Sequence, residues 1–461
     1  MSMLPADYIK SMKRLLGDEY VAYEASFSKH PYRGFRFNRR RIKDLSEGDS
    51  QGRHETVDEL AVRITGQNEK VPWNPLGYYT GERDELSSSP YYYSGMFYIQ
   101  EPSAMSAAGM FPVDKTDLVL DLCAAPGGKS TDLAGGCAFL LSNDYSASRA
   151  RGLLKNMELY GGANYAVCAM DPKDLSKLYP ETFDKVIVDA PCSGEGMFRK
   201  DPSLIKSWAD RGPAEYAPIQ ASILDDAYEM LKKGGMMMYS TCTFSPLENE
   251  ENILSFLNSH PDMEVADIKV PDEWGFADGL MGLSGAKRLY PHRVKGEGHF
   301  ICLMRKKSYE RSFGRRPQDD NRGVGDSSEA SFEHRIIGGR LYLLPQGCID
   351  LDKKVRFLRT GLFMGEYKRD RFIPAHSLAL FFSRRQCRQG EVSIKTDRDV
   401  FSACVLDLCD DDERLIRYLR GETIQIDPSI KGHVLVCCDG FPLGWGRGAN
   451  GKLKNDYPVS K

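Results

Sequence analysis

An apolar strand that runs into a glycine-rich turn and a helix, LVLDLCAAPGGKST at residues 118–131, constrains this chain more than any other segment. Its end looks like a triphosphate-binding loop, with Gly-Lys-Ser after a strand. Such a loop needs a glycine five positions before the Gly-Lys pair, and Cys123 stands there instead. In open parallel sheets, ligands lie beyond the carboxyl ends of the strands, at the first strand-to-helix turn. The segment therefore predicts a nucleotide-type site that does not hold a triphosphate.

The middle third of the chain alternates apolar runs with helical patterns, which is typical of a parallel sheet with crossover helices. The predicted fold is a doubly wound α/β architecture. Strands are predicted at 118–122, 138–142, 164–168, 184–189 and 236–241, and a late strand at 299–304 could close the sheet edge. Helices are predicted at 127–136, 147–160, 215–232 and 247–259.

The composition indicates an ordinary globular protein. The 461 residues are 41% hydrophobic and 28% charged, and no run approaches the roughly 18 apolar residues of a membrane span. The N-terminus shows no export signal, which predicts a cytoplasmic protein without a membrane partner. The 12 cysteines form no CxxC pair and no zinc-spaced cluster, so we expect free thiols and no metal site.

Shifts in composition predict the domain organisation. Residues 308–334 are polar, rich in Gly, Ser and Asp, and read as a linker. We predict an N-terminal extension at 1–95, the α/β domain at 96–307, a small α/β module at 335–385 and a last module at 386–461.

The residues around the first turn favour an adenosine ligand without a polyphosphate. Gly127 and Gly128 are expected to let the backbone approach a ligand closely. Asp144, at the end of the second strand, suits a ribose diol, whereas no GxGxxG is present for a dinucleotide. Asp171, after the third strand, could reach the adenine or could equally be a helix cap. The common ligand of this kind is S-adenosylmethionine.

Two cysteines follow neighbouring strands of the predicted sheet. Cys192 lies with Asp189 in VDAPCSGEGMFRKDP (188–202), and Cys242 lies in YSTCTFSPLENEE (239–251). After Cys242, the sequence Ser245-Pro246-Leu-Glu248 predicts a capping-box helix start, whose positive end would favour a thiolate. Any single free cysteine is usually a buried hydrophobe, but two beside a cofactor turn suggest chemistry.

A pyrimidine substrate would explain a pair of thiols. Its C5 is a poor nucleophile, and a thiolate that adds at C6 makes C5 able to accept a methyl group. A nearby aspartate can bond the ring N3 and the exocyclic amine as charge develops there. A second thiol can help to break the adduct down. The pattern does not rank the two cysteines.

The motifs DLCAAPGGKS, VDAPCSGEG and STCTFSPLENE resemble those of the RNA 5-methylcytosine methyltransferases of the Nop2/Sun family. The stretches VPWNPLGYY (71–79), YYYSGMFYIQEPSAM (91–105) and PHRVKGEGHF (291–300) are similar to its bacterial ribosomal-RNA branch, the RsmF type. The resemblance is specific over about 70–305. It implies a Rossmann-like, class I S-adenosylmethionine-dependent fold with a late antiparallel strand, an N-terminal RNA-binding extension and a C-terminal PUA-like RNA-binding module.

The resemblance also implies roles for individual residues. Cys242 matches the nucleophile of the Thr-Cys motif, and Cys192 matches the Pro-Cys thiol that assists product release. Asp189 matches both a catalytic and a cofactor position. The other positions that match cofactor-binding residues are Cys123, Ala124, Ala125, Pro126, Gly127, Gly128, Lys129, Asp144 and Asp171. The implied reaction is methylation of cytosine C5 in 16S ribosomal RNA, on the RNA or the small subunit, by a monomer.

Two basic stretches are predicted to contact RNA. Residues 29–43 hold seven Lys and Arg without an acid, although the net charge of the whole chain is only −3. Residues 353–388 interleave basic and aromatic side chains, which suits a phosphate backbone and stacked bases. A solvated basic face is the alternative.

Three other functions stay open at this point. They are a transfer-RNA cytosine methyltransferase, a non-catalytic RNA-binding ribosome assembly factor, and an ATP-binding protein, the last disfavoured by Cys123.

Overall fold

The computed structural model describes residues 4–45, 55–81, 86–308, 332–346, 349, 354–369, 371–396 and 398–458. Most of the predicted linker, at 309–331, lies outside the described residues, as does Lys353. Within the described ranges, no helix combines the length and apolar character needed to cross a membrane.

A ten-stranded sheet forms the centre of the molecule. Five parallel strands lie in the order β8-β7-β4-β5-β6, so the strand order reverses between β4 and β7. Nine of the strands are β4 (Leu118–Asp121), β5 (Phe139–Asn143), β6 (Tyr165–Cys168), β7 (Phe183–Asp189), β8 (Leu231–Thr241), β9 (Met263–Ala266), β10 (Ala277–Asp278), β11 (Lys287–Leu289) and β12 (His299–Lys306), and the tenth is β15 (Phe357–Thr360). This arrangement confirms the Rossmann-like fold class.

Helices cover both faces of this sheet, because each strand is apolar on both sides and needs two buried surfaces. One core cluster includes Leu120 and Val186, and the other includes Val119 and Ile187. Ser146 caps the helix that begins at Ala147, because its side chain accepts a hydrogen bond from Arg149 N. The helices are α7 (Gly128–Leu133), α8 (Ala147–Tyr160), α9 (Pro172–Leu178), α10 (Ser203–Asp210), α11 (Gly212–Met230) and α12 (Glu250–Ser259).

Two local predictions are wrong. Strand β12 pairs antiparallel with β8 as expected, but β11 and β10 extend the sheet beyond it, so it does not close the edge. Helix α12 begins at Glu250 and not at Pro246, and its N-cap, Asn249, makes no side-chain capping bond. The predicted capping box fails because Glu248 turns into the protein interior, where it has other partners.

The N-terminal region packs small helices and a three-stranded antiparallel sheet against the central domain. Its sheet has the order β2-β1-β3. The elements are α1 (Ala6–Leu16), α2 (Tyr20–Ser26), β1 (Gly34–Phe37), α3 (Arg39–Ile42), α4 (Val57–Thr65), β2 (Gly77–Tyr79), α5 (Pro90–Tyr93), β3 (Phe97–Ile99) and α6 (Ser106–Gly109).

Two further sheets follow the central domain. The first has the order β13-β14-β16-β17, and the second has the order β18-β19-β21-β22-β23-β20. Strand β15 belongs to neither, since it pairs antiparallel with β6 in the central sheet. The elements are β13 (Phe332–Ile337), β14 (Arg340–Pro345), β15 (Phe357–Thr360), β16 (Leu362–Lys368), β17 (Arg371–Pro374), α13 (His376–Phe381), α14 (Arg384–Cys387), β18 (Glu391–Lys395), β19 (Val400–Leu408), α15 (Glu413–Leu419), β20 (Ile424–Gln425), β21 (Gly432–Cys438), β22 (Phe441–Ala449) and β23 (Lys452–Asn455).

Candidate active site

A cavity of about 800 Å³ lies at the carboxyl ends of the parallel strands. Its position beside the reversal between β4 and β7 is where open α/β sheets bind ligands. The cavity joins the first turn to both cysteine loops. The predicted site residues that line it are Cys123, Ala125, Asp144, Asp171, Asp189, Cys192 and Cys242.

The first turn is shaped by protein packing. Gly127 has a φ of 113°, and a Cβ there would lie 3.2 Å from Leu153 Cδ1. A Cβ on Gly128 would lie 3.1 Å from Gln100 Nε2. Packing inside the protein thus also favours glycine at both positions, and the approach of the backbone to a ligand stays a prediction. Ala124 and Pro126, like both glycines, are not among the residues that line the cavity.

Two aspartates stand at the ends of β5 and β6. Asp144 is buried, and its carboxylate accepts from Ala125 N at 3.2 Å and from Ser146 N at 2.9 Å. Asp171 caps helix α9 by accepting from Lys173 N, and it also lines the cavity. Asp171 therefore caps a helix and lines the cavity at the same time.

A partly buried ion pair crosses the floor of the site. Lys129 Nζ lies 2.6 Å from Asp189 Oδ2, and Ser240 Oγ donates to Asp189 Oδ1 at 2.8 Å. Burial acts to raise the pKa of Asp189, but the charge of Lys129 and the hydrogen bonds from Lys129 and Ser240 outweigh it and leave that pKa below its ordinary value. Asp189 is therefore ionised at neutral pH.

His299 is a site residue to which the sequence pattern assigned no role. It is buried, and its Nε2 lies 3.8 Å from Asp189 Oδ1. Burial, together with the charge of Lys129, lowers the pKa of His299 to about 3, so the imidazole is neutral. His299 lies in the GEGHF motif at the start of β12. The motif could have indicated a role for His299 in the site only if β12 had been known to pair with β8.

The two cysteines face each other. Cys192 Sγ and Cys242 Sγ are 3.4 Å apart, although they lie in loops after different strands. The hydrogen bond between the thiols, together with burial, raises the pKa of Cys192 well above its usual range. Cys192 therefore keeps its proton. Cys242 precedes helix α12 by a buried turn, so a helix N-terminus does not act on it directly.

Curated proteins match nearly the whole chain. It is 30% identical over 423 residues to ribosomal RNA small subunit methyltransferase F of Shewanella amazonensis, which covers 85% of each sequence. It is also 30% identical over 419 residues to the protein of that name from Escherichia coli strain SE11, covering 84% of this chain and 83% of the relative. The chain belongs to the 16S rRNA methyltransferase RsmB/F family. The model of that family matches residues 109–305.

Other comparisons agree with this membership. Models for RsmF domains match 4–102 (the N-terminal domain), 328–382 (the first C-terminal domain) and 406–460 (the PUA domain). Among solved structures, a methyltransferase homologue from Pyrococcus horikoshii is 28% identical, with a TM-score of 0.51, and covers 63% of this chain and 91% of its own.

In this RsmB/F chain, a buried carboxylate ties the two thiol loops together. Glu248 accepts from Ser193 N at 2.9 Å and from Thr243 Oγ1 at 3.1 Å. Ser193 and Thr243 are the residues that follow the two cysteines. Gln220 Nε2 adds a third donor at 3.0 Å and also binds Pro191 O. Glu248 was predicted as a helix cap, and only the tertiary structure shows this role.

The predicted RNA contacts in 29–43 need correction for this RsmB/F chain. Arg36 is buried, and it donates to Thr131 Oγ1 and Gly128 O beside the first turn. Arg41 is buried and donates to Phe382 O and Leu380 O. Arg40 donates to Phe381 O and covers the Phe381 ring. The prediction is wrong for Arg36 and Arg41, which bind protein groups because their segment lies between the central and C-terminal parts.

Proposed function

We propose that the protein methylates cytosine C5 in 16S ribosomal RNA, using S-adenosylmethionine and a covalent bond between Cys242 and cytosine C6. The observation that supports this most directly is the 3.4 Å approach of two thiols in the cavity that also contains Asp189 and the first turn. Two facing thiols, one of them held as a protonated thiol, suit a reaction in which a sulfur adds and is later eliminated.

The cavity fits a cationic adenosine ligand. Among the described residues, the carboxylates of Asp144, Asp171, Asp189 and Asp226 line it, against the cations of Arg149, which pairs with Asp144, and of Lys129, which pairs with Asp189 at the floor. This charge balance suits a sulfonium and an ammonium group and opposes a triphosphate. The ring of Tyr145, which is 73% exposed at the cavity, offers an apolar face for the adenine. We assign the ribose to Asp144, since its carboxylate keeps acceptor capacity after its backbone contacts.

S-adenosylmethionine supplies an electrophilic methyl group when bound. Cys242 adds to C6 as a thiolate, which shifts the C5–C6 electron pair onto C5. After C5 is methylated, water takes the C5 proton, the electron pair of that C–H bond forms the C5–C6 double bond again, and the C6–S bond breaks with its electron pair on Cys242 Sγ, to which the Cys192 thiol can donate. Cys192, as the protonated partner, assists this breakdown. Cys242 is assigned as the nucleophile because it matches the family's Thr-Cys position.

The ion pair of Lys129 and Asp189 orients the base. An ionised Asp189 can accept from the exocyclic amine and from a protonated N3 as the adduct forms. Lys129 is held against that carboxylate and can donate to the exocyclic O2 carbonyl of the base. A duplex would keep cytosine C6 out of reach, so the target base is expected to be unpaired or flipped out.

The two cysteines give the test of this mechanism. Cys242→Ala should be inactive, because it cannot form the C6 bond. Cys192→Ala should still attack and transfer the methyl group, and should then accumulate a protein–RNA species that survives denaturing electrophoresis. Incubation of each variant with 16S ribosomal RNA and cofactor, followed by gel analysis and nucleoside mapping, measures both outcomes.

Cys123→Ala is the matched control, since this thiol lines the same cavity but has no proposed covalent role. The reverse pattern, with an adduct trapped only in Cys242→Ala, would move the nucleophile to Cys192. Methylated transfer RNA in place of ribosomal RNA would support the transfer-RNA alternative. Cofactor and RNA binding with no methylation by the wild type would support an assembly factor.

A further inference from the structure

The sheet formed by β13, β14, β16 and β17 has one face packed in a core cluster and a second face that is open around Tyr342 and Arg340, although Leu344 on that face is buried. Leu341, Leu343, Leu362 and Met364 point into a core cluster. Because side chains alternate across a strand, the residues between them point the other way. Tyr342 and Phe363 are such residues; both are half-buried, and they lie directly opposite each other on β14 and β16.

Aromatic rings lie together on the open face. The rings of Tyr342 and Phe363 are 5.3 Å apart at an angle of 38°. The Arg359 guanidinium lies 5.2 Å from the Phe363 ring and pairs with Glu158 of helix α8 at 2.8 Å. Through β15, which carries Arg359, the open face is anchored to the central sheet.

Cations flank these rings. Arg335 of β13 lies opposite Tyr342 of β14. Arg340, two residues before Tyr342 on β14 and on the same face, lies opposite Ile337 of β13 and Glu366 of β16. Lys368 and Arg371 lie opposite each other at the tip of the next hairpin. Arg335 pairs with Glu333, and Lys368 pairs with Glu366. Among the described residues, the structure shows no ion pair for Arg340 or Arg371.

We propose that this open face is a platform for a single-stranded segment of the RNA substrate, so the inference rests on the proposed function. Bases stack on exposed aromatic rings regardless of sequence, and neighbouring cations contact the phosphates. The rings of Tyr342 and Phe363 take bases, and Arg335, Arg340, Lys368 and Arg371 take the backbone. The platform accounts for part of the basic stretch 353–388, while Arg36 and Arg41 of the other stretch serve internal contacts.

Charge reversal tests the electrostatic part. Arg335→Glu/Arg340→Glu should weaken binding to protein-free 16S ribosomal RNA at least tenfold at low salt. Because each contact to a single strand contributes about 0.7 to the salt slope, the slope should fall by about 1.4. The control is Lys115→Glu/Lys233→Glu, which makes the same charge change at exposed residues near the amino ends of β4 and β8. Thermal melting checks that both proteins fold.

Tyr342→Leu tests stacking, since it keeps an apolar side chain but removes the ring. We expect the KM for RNA to rise about tenfold, the scale of one stacked base, with kcat unchanged at saturating RNA. The affinity for S-adenosylmethionine should stay at the wild-type value. If Tyr342 has only a structural role, Tyr342→Leu should lower the melting temperature without raising the KM for RNA selectively over kcat.

The same measurements separate the possible failures. RNA affinities equal to the control variant would overturn the platform, even if the wild type methylates normally. Lost binding to intact small subunits with unchanged binding to protein-free RNA would also overturn it, and would point to a ribosomal protein as partner. If the wild type methylates no cytosine, the proposed function fails, while the binding data still report on the platform.

Discussion

At the residue scale, the position of each reactive group depends on a partner far away in the chain. Glu248 is fully buried and accepts from the residues that follow both cysteines. Burial raises the pKa of Glu248, and its hydrogen bonds oppose that rise. Burying such a carboxylate costs free energy. We therefore infer that Glu248 serves to hold the two loops at a fixed distance from each other.

We expect Glu248→Gln to slow adduct formation at least tenfold. The amide places a donor where the loops present N–H and O–H donors, so the two loops lose their common acceptor. The readout is the rate of covalent trapping on RNA that carries 5-fluorocytidine, with the Kd for S-adenosylhomocysteine unchanged. Glu251→Gln, an exposed neighbour, is the control. Wild-type trapping rates in Glu248→Gln would contradict a positioning role.

Asp144→Asn should weaken cofactor binding about tenfold. The variant loses one acceptor and the charge, and hydrogen bonds to charged groups are worth about 1.5–3 kcal/mol. Calorimetry with S-adenosylhomocysteine measures the effect. Asp174→Asn serves as the control, because Asp174 is exposed and pairs only with Lys177 among the described residues. Equal affinities in the two variants would remove Asp144 from the cofactor site.

At the scale of elements, the N-terminal helices support the loops of the site. Tyr8 of α1 packs against Phe198 and Trp208, and Tyr23 of α2 packs against Phe244. Between these contacts lies Glu195, whose carboxyl accepts from Phe244 N at 2.8 Å and from Trp208 Nε1 at 2.9 Å. The N-terminal helices are thus part of the wall behind Cys192 and Cys242.

Glu195 should make the stability of the protein depend on pH. Burial raises its pKa from 4.5 to about 7, so between these values the folded state holds a proton that the unfolded state has released. The free energy of unfolding should therefore fall as pH rises from 4.5 to 7, and Glu195 should add no further change above that range. Glu195→Gln should remove this part of the fall. Thermal melting at pH 5, 6, 7 and 8 compares the two proteins, and identical pH profiles would contradict the assignment.

At the scale of the whole molecule, the two ends of the chain share a core. Phe35 and Tyr78 of the N-terminal sheet belong to the same buried cluster as Tyr418 and Leu443 of the last module. Arg41 adds hydrogen bonds to the carbonyls of Leu380 and Phe382. The predicted division at residues 95, 307, 334 and 385 stays a prediction.

Arg41→Met should loosen this junction. The methionine keeps an apolar stem but leaves two buried carbonyls without their donor, at a cost of about 1–3 kcal/mol each. We expect a lower melting temperature and faster proteolysis near residues 380–390, with cofactor affinity unchanged. Lys29→Met, an exposed change in the same basic stretch, is the control. Equal stability of the two variants would show that Arg41 does not join the parts.

The sequence determined the elements that local periodicity and turn chemistry specify. The parallel strands, α8 and the position of β12 follow from apolar runs and end signals, so they were predicted within a few residues, although β8 starts earlier, at Leu231. The antiparallel direction of β12 was implied only by the family resemblance. The grouping of Asp144, Asp171, Asp189 and both cysteines at one cavity followed as well, because parallel strands end at the same edge.

Only the tertiary structure decided which partner each polar group has. Glu248 reads as a helix cap, and Arg41 reads as an RNA contact, because local sequence does not show what is packed against a side chain. The same holds for Gly127, which faces Leu153, and for β15, which leaves its own module to pair with β6. Burial and charged partners both depend on contacts between segments that are distant in sequence: burial lowers the pKa of His299, whereas Lys129 outweighs burial at Asp189.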